Sequence, residues 1–357
     1  MTTNLKSAAS ATSKSAQGFY RVAIVGAGSL KGKEVAEVLD QRNFPAVDVK
    51  LLDDDESLGQ LEAMKDEITF IQSVRAEQFD KIDFTFFASD AACTRSNFKQ
   101  VQAAGSAIVD LSYALENEPG ATIQAPWVQR QLGQVNALDL QPGPAVVAHP
   151  VAVVLALLLG RLRTASTISK AVATVLQPAS EHGQNGMDEL HEQTVSLLSF
   201  QQLPKKQFDV QVAFNVVSRY GEQASSSLIS VSERVVQHYK TIAPEQSPAP
   251  SVVVLQAPTF HGYTVSLNVE LSGAADVAEL SKALVGEHVS LVTGSQEAPN
   301  NVNAAGQGDV LVSVTPDVSN RNSVWLWIAF DNLRLSATTA VECAEAMAAS
   351  RPRGQVQ

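Results

Sequence analysis

The sequence predicts an α/β protein that opens with a parallel, doubly wound sheet of the Rossmann type and continues into an α+β unit with a mixed or antiparallel sheet. Three observations predict it. Apolar strand-like runs alternate with helical periods from Tyr20 to Leu111. A glycine turn, Gly26-Ala-Gly-Ser-Leu-Lys-Gly32, joins the first strand to the first helix. Past Pro150 the chain becomes β-rich, with some period-2 alternation and long connections. Alternating strands and helices imply right-handed crossovers and a parallel sheet. Strands without intervening helices imply antiparallel pairing.

Each element follows from its residues. Tyr20 to Val25 reads as a buried strand, and Ser29 to Asn43 as a helix with Leu30, Val35, Ala36, Val38 and Leu39 near helical spacing. Val47 to Leu52 is a second strand, Ile82 to Ala88 a later one, Ala91 to Ala104 a helix, and Ala107 to Leu111 the next strand. Val151 to Arg163 is an apolar helix, too short for a membrane span of about 20 residues. Strands follow at Ser169 to Leu176, Val252 to Leu255, Thr264 to Val269, Val310 to Val314 and Val324 to Phe330, with helices at Asp188 to Phe200 and Leu333 to Ala349. Ala243 to Ser251 and Gln296 to Gly308 read as loops.

Composition narrows the partners. The 357 residues carry 26 Lys+Arg against 37 Asp+Glu, a net charge of −11. That balance argues against nucleic acid and anionic membrane, which need a basic face. Two cysteines, Cys93 and Cys343, build no disulfide framework and fit a reducing cytoplasm. Met1 to Phe19 has no Asp or Glu, only Lys6 and Lys14 as cations, and no Arg. It reads as a disordered extension (residues 1–19) rather than an Arg-rich transit peptide.

The glycine turn has two readings. After a strand and before a helix, Gly26, Gly28, Ser29, Leu30 and Gly32 form a dinucleotide-binding turn, with helix N–H groups free to meet a pyrophosphate. The third glycine falls one residue late for G-x-G-x-x-G, so a plain structural turn stands beside that reading. Asp53-Asp54-Asp55-Glu56 after the second strand either receives a ribose hydroxyl through Asp53 or is a solvated acidic turn. Four carboxylates repel a 2′-phosphate, so NAD is favoured over NADP.

Over about Arg21 to Met347 the chain resembles the aspartate-semialdehyde dehydrogenase family. Val22-Ala-Ile-Val-Gly-Ala-Gly28, Arg42-Asn-Phe-Pro45, Glu189-Leu-His-Glu-Gln193, Ala213-Phe-Asn-Val216 and Trp327-Ile-Ala-Phe-Asp-Asn-Leu-Arg334 match family segments in the family's order. The resemblance implies a Rossmann-type domain at 20–149, completed by a C-terminal helix at 333–350, and a dimerisation domain at 150–332. It also implies NADPH-linked chemistry on an acyl phosphate in amino-acid biosynthesis. In that chemistry a cysteine thiolate attacks, a histidine moves protons, a glutamine orients the intermediate, and arginines with a lysine hold the anions.

Residue by residue, the resemblance implies loss. His149-Pro-Val-Ala-Val153 stands where the family has its nucleophile segment, so the cysteine position is Ala152. Gln177 keeps the glutamine. Gln256-Ala-Pro-Thr-Phe-His-Gly-Tyr263 puts Gln256 at the substrate arginine and Tyr263 at the catalytic histidine. Glu116 reverses the phosphate arginine, and the lysine position falls near Ile229. This pattern resembles the family's non-catalytic Usg-like bacterial paralogues.

Other side chains compete for a chemical role. Cys93, near a helix start, reads as an activated thiol or as a small buried residue. Cys343 reads as core. His149 and His261 read as acid/base groups for a different reaction or as structural histidines. Glu181, His182 and His191 have no recognised metal-ligand spacing, so no metal is expected. Two hypotheses follow. One is a dimeric binding or scaffold protein, with or without NAD or NADP bound. The other is an NAD(P)-dependent oxidoreductase with altered chemistry on an aldehyde or acyl phosphate. A homodimer is expected, and a hetero-oligomer with an active relative is a further alternative.

Overall fold

The computed structural model describes residues 20–53, 61–64, 67–133, 143–245, 247–294 and 296–350. The expected N-terminal extension and Asp54, Asp55 and Glu56 lie outside the described residues.

The first part of the chain runs β1 (Tyr20–Val25), α1 (Leu30–Gln41), β2 (Ala46–Asp53), β3 (Leu61–Met64), β4 (Glu67–Phe70), β5 (Gln72–Ser73), β6 (Phe84–Phe87), α2 (Ala91–Ala103), β7 (Ala107–Asp110), β8 (Thr122–Gln124), α3 (Pro126–Gln131) and β9 (Ala145–Val147). Seven of these strands form one sheet in the order β5-β2-β1-β6-β7-β9-β8. Every described pair in it is parallel. The strand order therefore reverses at β1. In such sheets the crevice beyond the strand ends at the reversal point is where ligands settle. Val22 to Val25 are fully buried, as a strand covered on both faces requires.

The second part runs α4 (Pro150–Ala165), β10 (Ile168–Gln177), α5 (Gly183–Leu198), α6 (Leu228–Ile242), β11 (Ser251–Gln256), β12 (Tyr263–Leu271), α7 (Val277–Leu284), β13 (Val289–Leu291), α8 (Asn301–Ala304), β14 (Val310–Pro316), β15 (Ser323–Phe330) and α9 (Asn332–Ser350). Its sheet, β11-β10-β12-β15-β14-β13, is mixed: β10 with β11 and β13 with β14 are parallel, and the other pairs antiparallel. Along β12 the odd residues Tyr263, Val265, Leu267, Val269 and Leu271 are buried, so one face packs inward. α4 is buried along nearly its whole length and joins that core.

α9 returns to the first sheet. Its Ala337, Ala340, Val341, Cys343, Ala344 and Met347 share a core with Val35, Val38 and Leu39 of α1. Arg42 forks onto Glu342 and Glu345 at 2.9 and 2.7 Å, and Arg130 also pairs with Glu342. Cys343 is buried there, and burial pushes its thiol up.

Two segments differ from the sequence expectation, and several elements, α6 among them, had none. α5 begins at Gly183, five residues before Asp188, and buried Gly186, which packs closely on Ala179, lies within its first turns despite the low helix propensity of glycine. α6, for which the sequence reading assigns no element, is a helix whose Leu228, Val235, His238, Tyr239 and Ile242 share the buried face. The loop expected at 296–308 contains α8, capped by the Asn300 side chain on the N–H groups of Val302 and Asn303.

Candidate functional site

The glycine turn sits at the reversal point. Gly26 has φ +84°, and a Cβ on it would lie 2.4 Å from Ser89 N beyond β6. A Cβ on Gly32 would lie 2.1 Å from Gly26 O. Both positions therefore require glycine for backbone packing. Ser29 is the N-cap of α1: its Oγ accepts from Gly32 N–H and donates to Ala88 O, each at 2.9 Å. Asp53 Oδ2 accepts from Gly28 N–H at 2.6 Å. The N–H groups of Leu30 and Lys31 carry no hydrogen bond among the described residues, and they are the donors an anion at this helix end would use.

Lys31 leads from the turn into the cleft between the two sheets. Its Nζ donates to Leu111 O at 3.3 Å, lies 3.7 Å from Glu181 Oε1 and stands 5.1 Å over the Tyr113 ring. Burial raises the Glu181 carboxyl, but Lys31 and its other polar neighbours outweigh that and hold it below its ordinary value. Tyr113 adopts φ +62°, a left-handed conformation unusual for an aromatic residue. Its ring stacks on His149 and meets His238 edge-on, both at 5.8 Å, and Arg234 lies 4.8 Å above it.

Of the residues matched to the family's chemistry, Gln177, Gln256 and Tyr263 gather at one end of the second sheet and bond to one another. Ala152 is in the first turn of α4 and fully buried. Gln177 ends β10, Gln256 ends β11 and Tyr263 begins β12. The Tyr263 hydroxyl donates to Gln177 Oε1 at 3.3 Å, and Gln256 Nε2 donates to the Gln177 carbonyl at 3.0 Å. Gln177 Nε2 donates to Tyr220 Oη at 3.2 Å, and Tyr220 donates to Gln256 Oε1 at 2.7 Å. His182 Nε2 shares a 2.8 Å bond with the same hydroxyl. Burial drives the Tyr263 hydroxyl well above its ordinary value and the His182 imidazole down to about 4. These groups satisfy one another's hydrogen bonds, the arrangement buried polar side chains need.

Two candidates for replacement chemistry sit in surroundings that do not favour it. His149 is the N-cap of α4, with Nδ1 accepting from Val151 N–H at 3.2 Å, and burial lowers it to about 3. Burial thus favours the neutral imidazole, whose Nδ1 is engaged as the helix cap. Cys93 lies in the first turn of α2, where Asp90 takes its N–H at 2.7 Å. Burial first, and then the Asp90 charge, raise the thiol, opposite to activation. None of the Cys93 hydrogen-bond partners is shared with Gln177.

His261 is set apart. Its Nε2 bonds Asp331 at 2.8 Å and its Nδ1 bonds Ser180 Oγ at 3.2 Å, and the Asp331 hydrogen bond raises the imidazole. The hydroxyl–imidazole–carboxylate order resembles a nucleophilic triad. However, Ser180 is 1% exposed and also bonds Asn332, so no substrate reaches its oxygen. His191 lines a separate open depression of about 450 Å³ beside α5, away from this cluster. Among the described residues no group of three or more His, Cys, Asp or Glu could hold a metal.

Sequence reasoning missed Tyr220, Tyr113 and the pair Arg234 and His238. The pair is spaced i, i+4 on α6, a signal visible only once α6 is known to be a helix. Ile229, near the expected lysine position, is 65% exposed in the first turn of α6. The cation the cleft does receive from this helix is Arg234, one and a half turns further on.

Comparison with known proteins agrees with this architecture. A family model described as "Semialdehyde dehydrogenase, NAD binding domain" matches residues 21–135, and one described as "Semialdehyde dehydrogenase, dimerisation domain" matches residues 159–335. A USG-1 protein homolog of Azotobacter vinelandii is 33% identical over 331 residues, covering 91% of this chain and 96% of that protein. An aspartate-semialdehyde dehydrogenase of Rickettsia conorii is 29% identical over 336 residues, covering 91% and 97%. The structure of a probable aspartate-semialdehyde dehydrogenase from Pseudomonas aeruginosa superposes with a TM-score of 0.82 at 27% identity, covering 92% of this chain and 98% of that one. With both of its domains matched over most of the chain, this protein belongs to the aspartate-semialdehyde dehydrogenase family and has USG-1 homologues among its relatives.

Proposed function

We propose that this chain is a family member that no longer carries out phosphorylating semialdehyde dehydrogenation and acts as a dimeric binding or scaffold protein that holds NAD. The observation that carries the reading is Ala152, a fully buried methyl group at the position matched to the nucleophile, together with a polar cluster whose imidazoles, His149 and His182, are lowered to about 3 and about 4. A thiolate route needs a sulfur and a proton carrier at one place. This cluster supplies neither, and the raised thiol of Cys93 does not replace them. The loss of an acid/base group alone costs about 10²–10⁴ in rate.

The nucleotide part of the proposal rests on the matched NAD-binding domain and on the Leu30 and Lys31 donors at the start of α1. Asp53 beside Gly28 favours NAD over a 2′-phosphorylated nucleotide. The dimer part rests on the outward face of the second sheet, where Val253, Trp325 and Trp327 are each about 38–45% exposed. We assign residues 20–149 with α9 to the nucleotide unit and 150–332 to the dimer unit.

The test combines two measurements on the purified full-length chain. Aspartate semialdehyde, phosphate and NAD or NADP should give no turnover, while NADH should bind in a calorimetric titration. Turnover abolished by Cys93→Ser would move the chemistry to Cys93 and overturn the proposal. Failure of both nucleotides to bind would remove its NAD component.

A further inference from the structure

Helix α6 and the loop after β7 meet across the cleft in one concentrated contact. Arg234 Nε lies 3.2 and 3.0 Å from the two Glu116 carboxylate oxygens, and its Nη2 lies 2.9 Å from Oε1. His238, one turn along the same face, reaches Glu116 Oε2 through Nε2 at 3.1 Å. The His238 Nδ1 accepts from His149 N–H at 2.9 Å, so Nε2 is the nitrogen that carries hydrogen and donates. A planar fork on both oxygens plus a fixed imidazole N–H is a contact set suited to a bound carboxylate or phosphate.

The surroundings make this more than a surface ion pair. The Glu116 side chain is 15% exposed, that of Arg234 28% and that of His238 0%. Tyr113 braces the guanidinium from below in its left-handed conformation. The Glu116 carboxyl is raised by burial, but hydrogen bonds from His238 and Arg234 outweigh that and hold it at about 2. It is therefore an anion at any working pH. The loop that presents it stands by other means: buried Asp110 accepts from Ser112 N–H at 2.7 Å and from Leu115 N–H at 2.9 Å, and Leu115 is fully buried. The donors thus belong to the helix, and the acceptor is a side chain on a loop that does not depend on it.

We propose that Arg234 and His238 form an oxyanion cradle which the chain keeps filled with its own Glu116 carboxylate, so that phosphate and small dicarboxylates enter only when Glu116 is displaced or removed. Wild-type protein then rejects such anions from the cleft, and the Glu116 side chain is the lock. The proposal stands apart from nucleotide binding, which the NADH titration reads on the same samples.

The test is calorimetric titration of inorganic phosphate and, separately, of succinate into wild type, Glu116→Gln, Glu116→Ala and the double variant Glu116→Ala/Arg234→Met. Both single variants should bind at least one of the anions about tenfold or more tightly than wild type, and the double variant should lose that gain. Whether phosphate or succinate gains more identifies which oxyanion the cradle fits. If Glu116→Ala fails to fold, Glu116→Gln, which keeps the shape and removes the charge, decides alone. Equal binding by wild type and the folded single variants overturns the proposal, as does a gain that survives Arg234→Met. Either result would leave Glu116–Arg234 as a structural ion pair.

Discussion

The Asp53 carboxylate holds the Gly28 N–H at 2.6 Å, tying the end of β2 to the glycine turn that follows β1. At the end of the second strand of such a sheet an acidic side chain meets the ribose of a dinucleotide. Asp53 is 9% exposed, so a nearby 2′-phosphate would face a largely desolvated negative charge. NADH should therefore bind wild type at least about tenfold more tightly than NADPH, roughly 1.4 kcal/mol. Asp53→Ala should erase most of that preference, chiefly by weakening NADH. Calorimetry with both nucleotides measures it, and tighter NADPH binding by wild type would reverse the assignment.

The proposal that Ala152 stands at the nucleophile position predicts a poor rescue. Ala152 is fully buried between Val151 and Val153 at the start of α4. A helix N-terminus lowers a thiol pKa, but an apolar surround and a neutral His149 do not stabilise a thiolate. Ala152→Cys should cost about 1 kcal/mol from overpacking. It should react slowly with a thiol reagent in the folded state and give no semialdehyde turnover. Rapid labelling at residue 152 in native protein would show a more open cleft than the one described.

Acid should unfold this protein through its interior. His149 and His182 are lowered in the folded state to about 3 and about 4 from an ordinary 6.5. Between those values and 6.5 the unfolded chain binds protons that the folded chain does not, so stability rises with pH across that window and falls as pH drops through it. Each group contributes a slope of up to about 1.4 kcal/mol per pH unit. Glu116, lowered to about 2 from 4.5, adds the same sign between those limits. Urea midpoints from pH 7 to pH 4 should fall steeply, and His149→Asn, which keeps a cap acceptor for Val151 N–H, should flatten the slope. An unchanged slope in that variant would mean that His149 titrates normally.

Much of the fold was legible because its signals are local. The buried run Val22 to Val25, the glycine turn and the alternation in β12 each declare an element within a few residues. The fate of Gln177, Gln256 and Tyr263 as neighbours was legible only through the family resemblance, since β10, β11 and β12 bring them together from distant positions. Arg234 and His238 were missed because no family segment was matched to them, although Leu228, Val235, Tyr239 and Ile242 give α6 a helical period that the sequence itself carries. His149 could not be judged from sequence at all. Its role as a cap depends on Val151 N–H and on a burial that no local pattern reports.

The persistence of the Asp331-Asn-Leu-Arg334 segment has a structural account that yields the last prediction. Asp331 Oδ1 accepts from Leu333 and Arg334 N–H at 2.9 and 3.0 Å, capping α9, while Oδ2 takes Gly306 N–H at 2.7 Å and His261 at 2.8 Å. One carboxylate thus starts the returning helix and ties it to the second sheet's loops. Asp331→Ala removes the cap and leaves buried donors unmet, which should cost about 2–3 kcal/mol. Asp331→Asn keeps an oxygen for the cap and should cost less than half of that. The two variants also separate capping from charge. The Asp331 hydrogen bond raises His261 in the folded state, so this pair stabilises below 6.5 and its contribution fades as pH rises through the folded value. In Asp331→Asn that carboxylate hydrogen bond disappears, and the His261 titration followed by NMR should move down toward its ordinary value. If His261 titrates identically in wild type and Asp331→Asn, the pair does not couple, and the segment serves the helix cap alone.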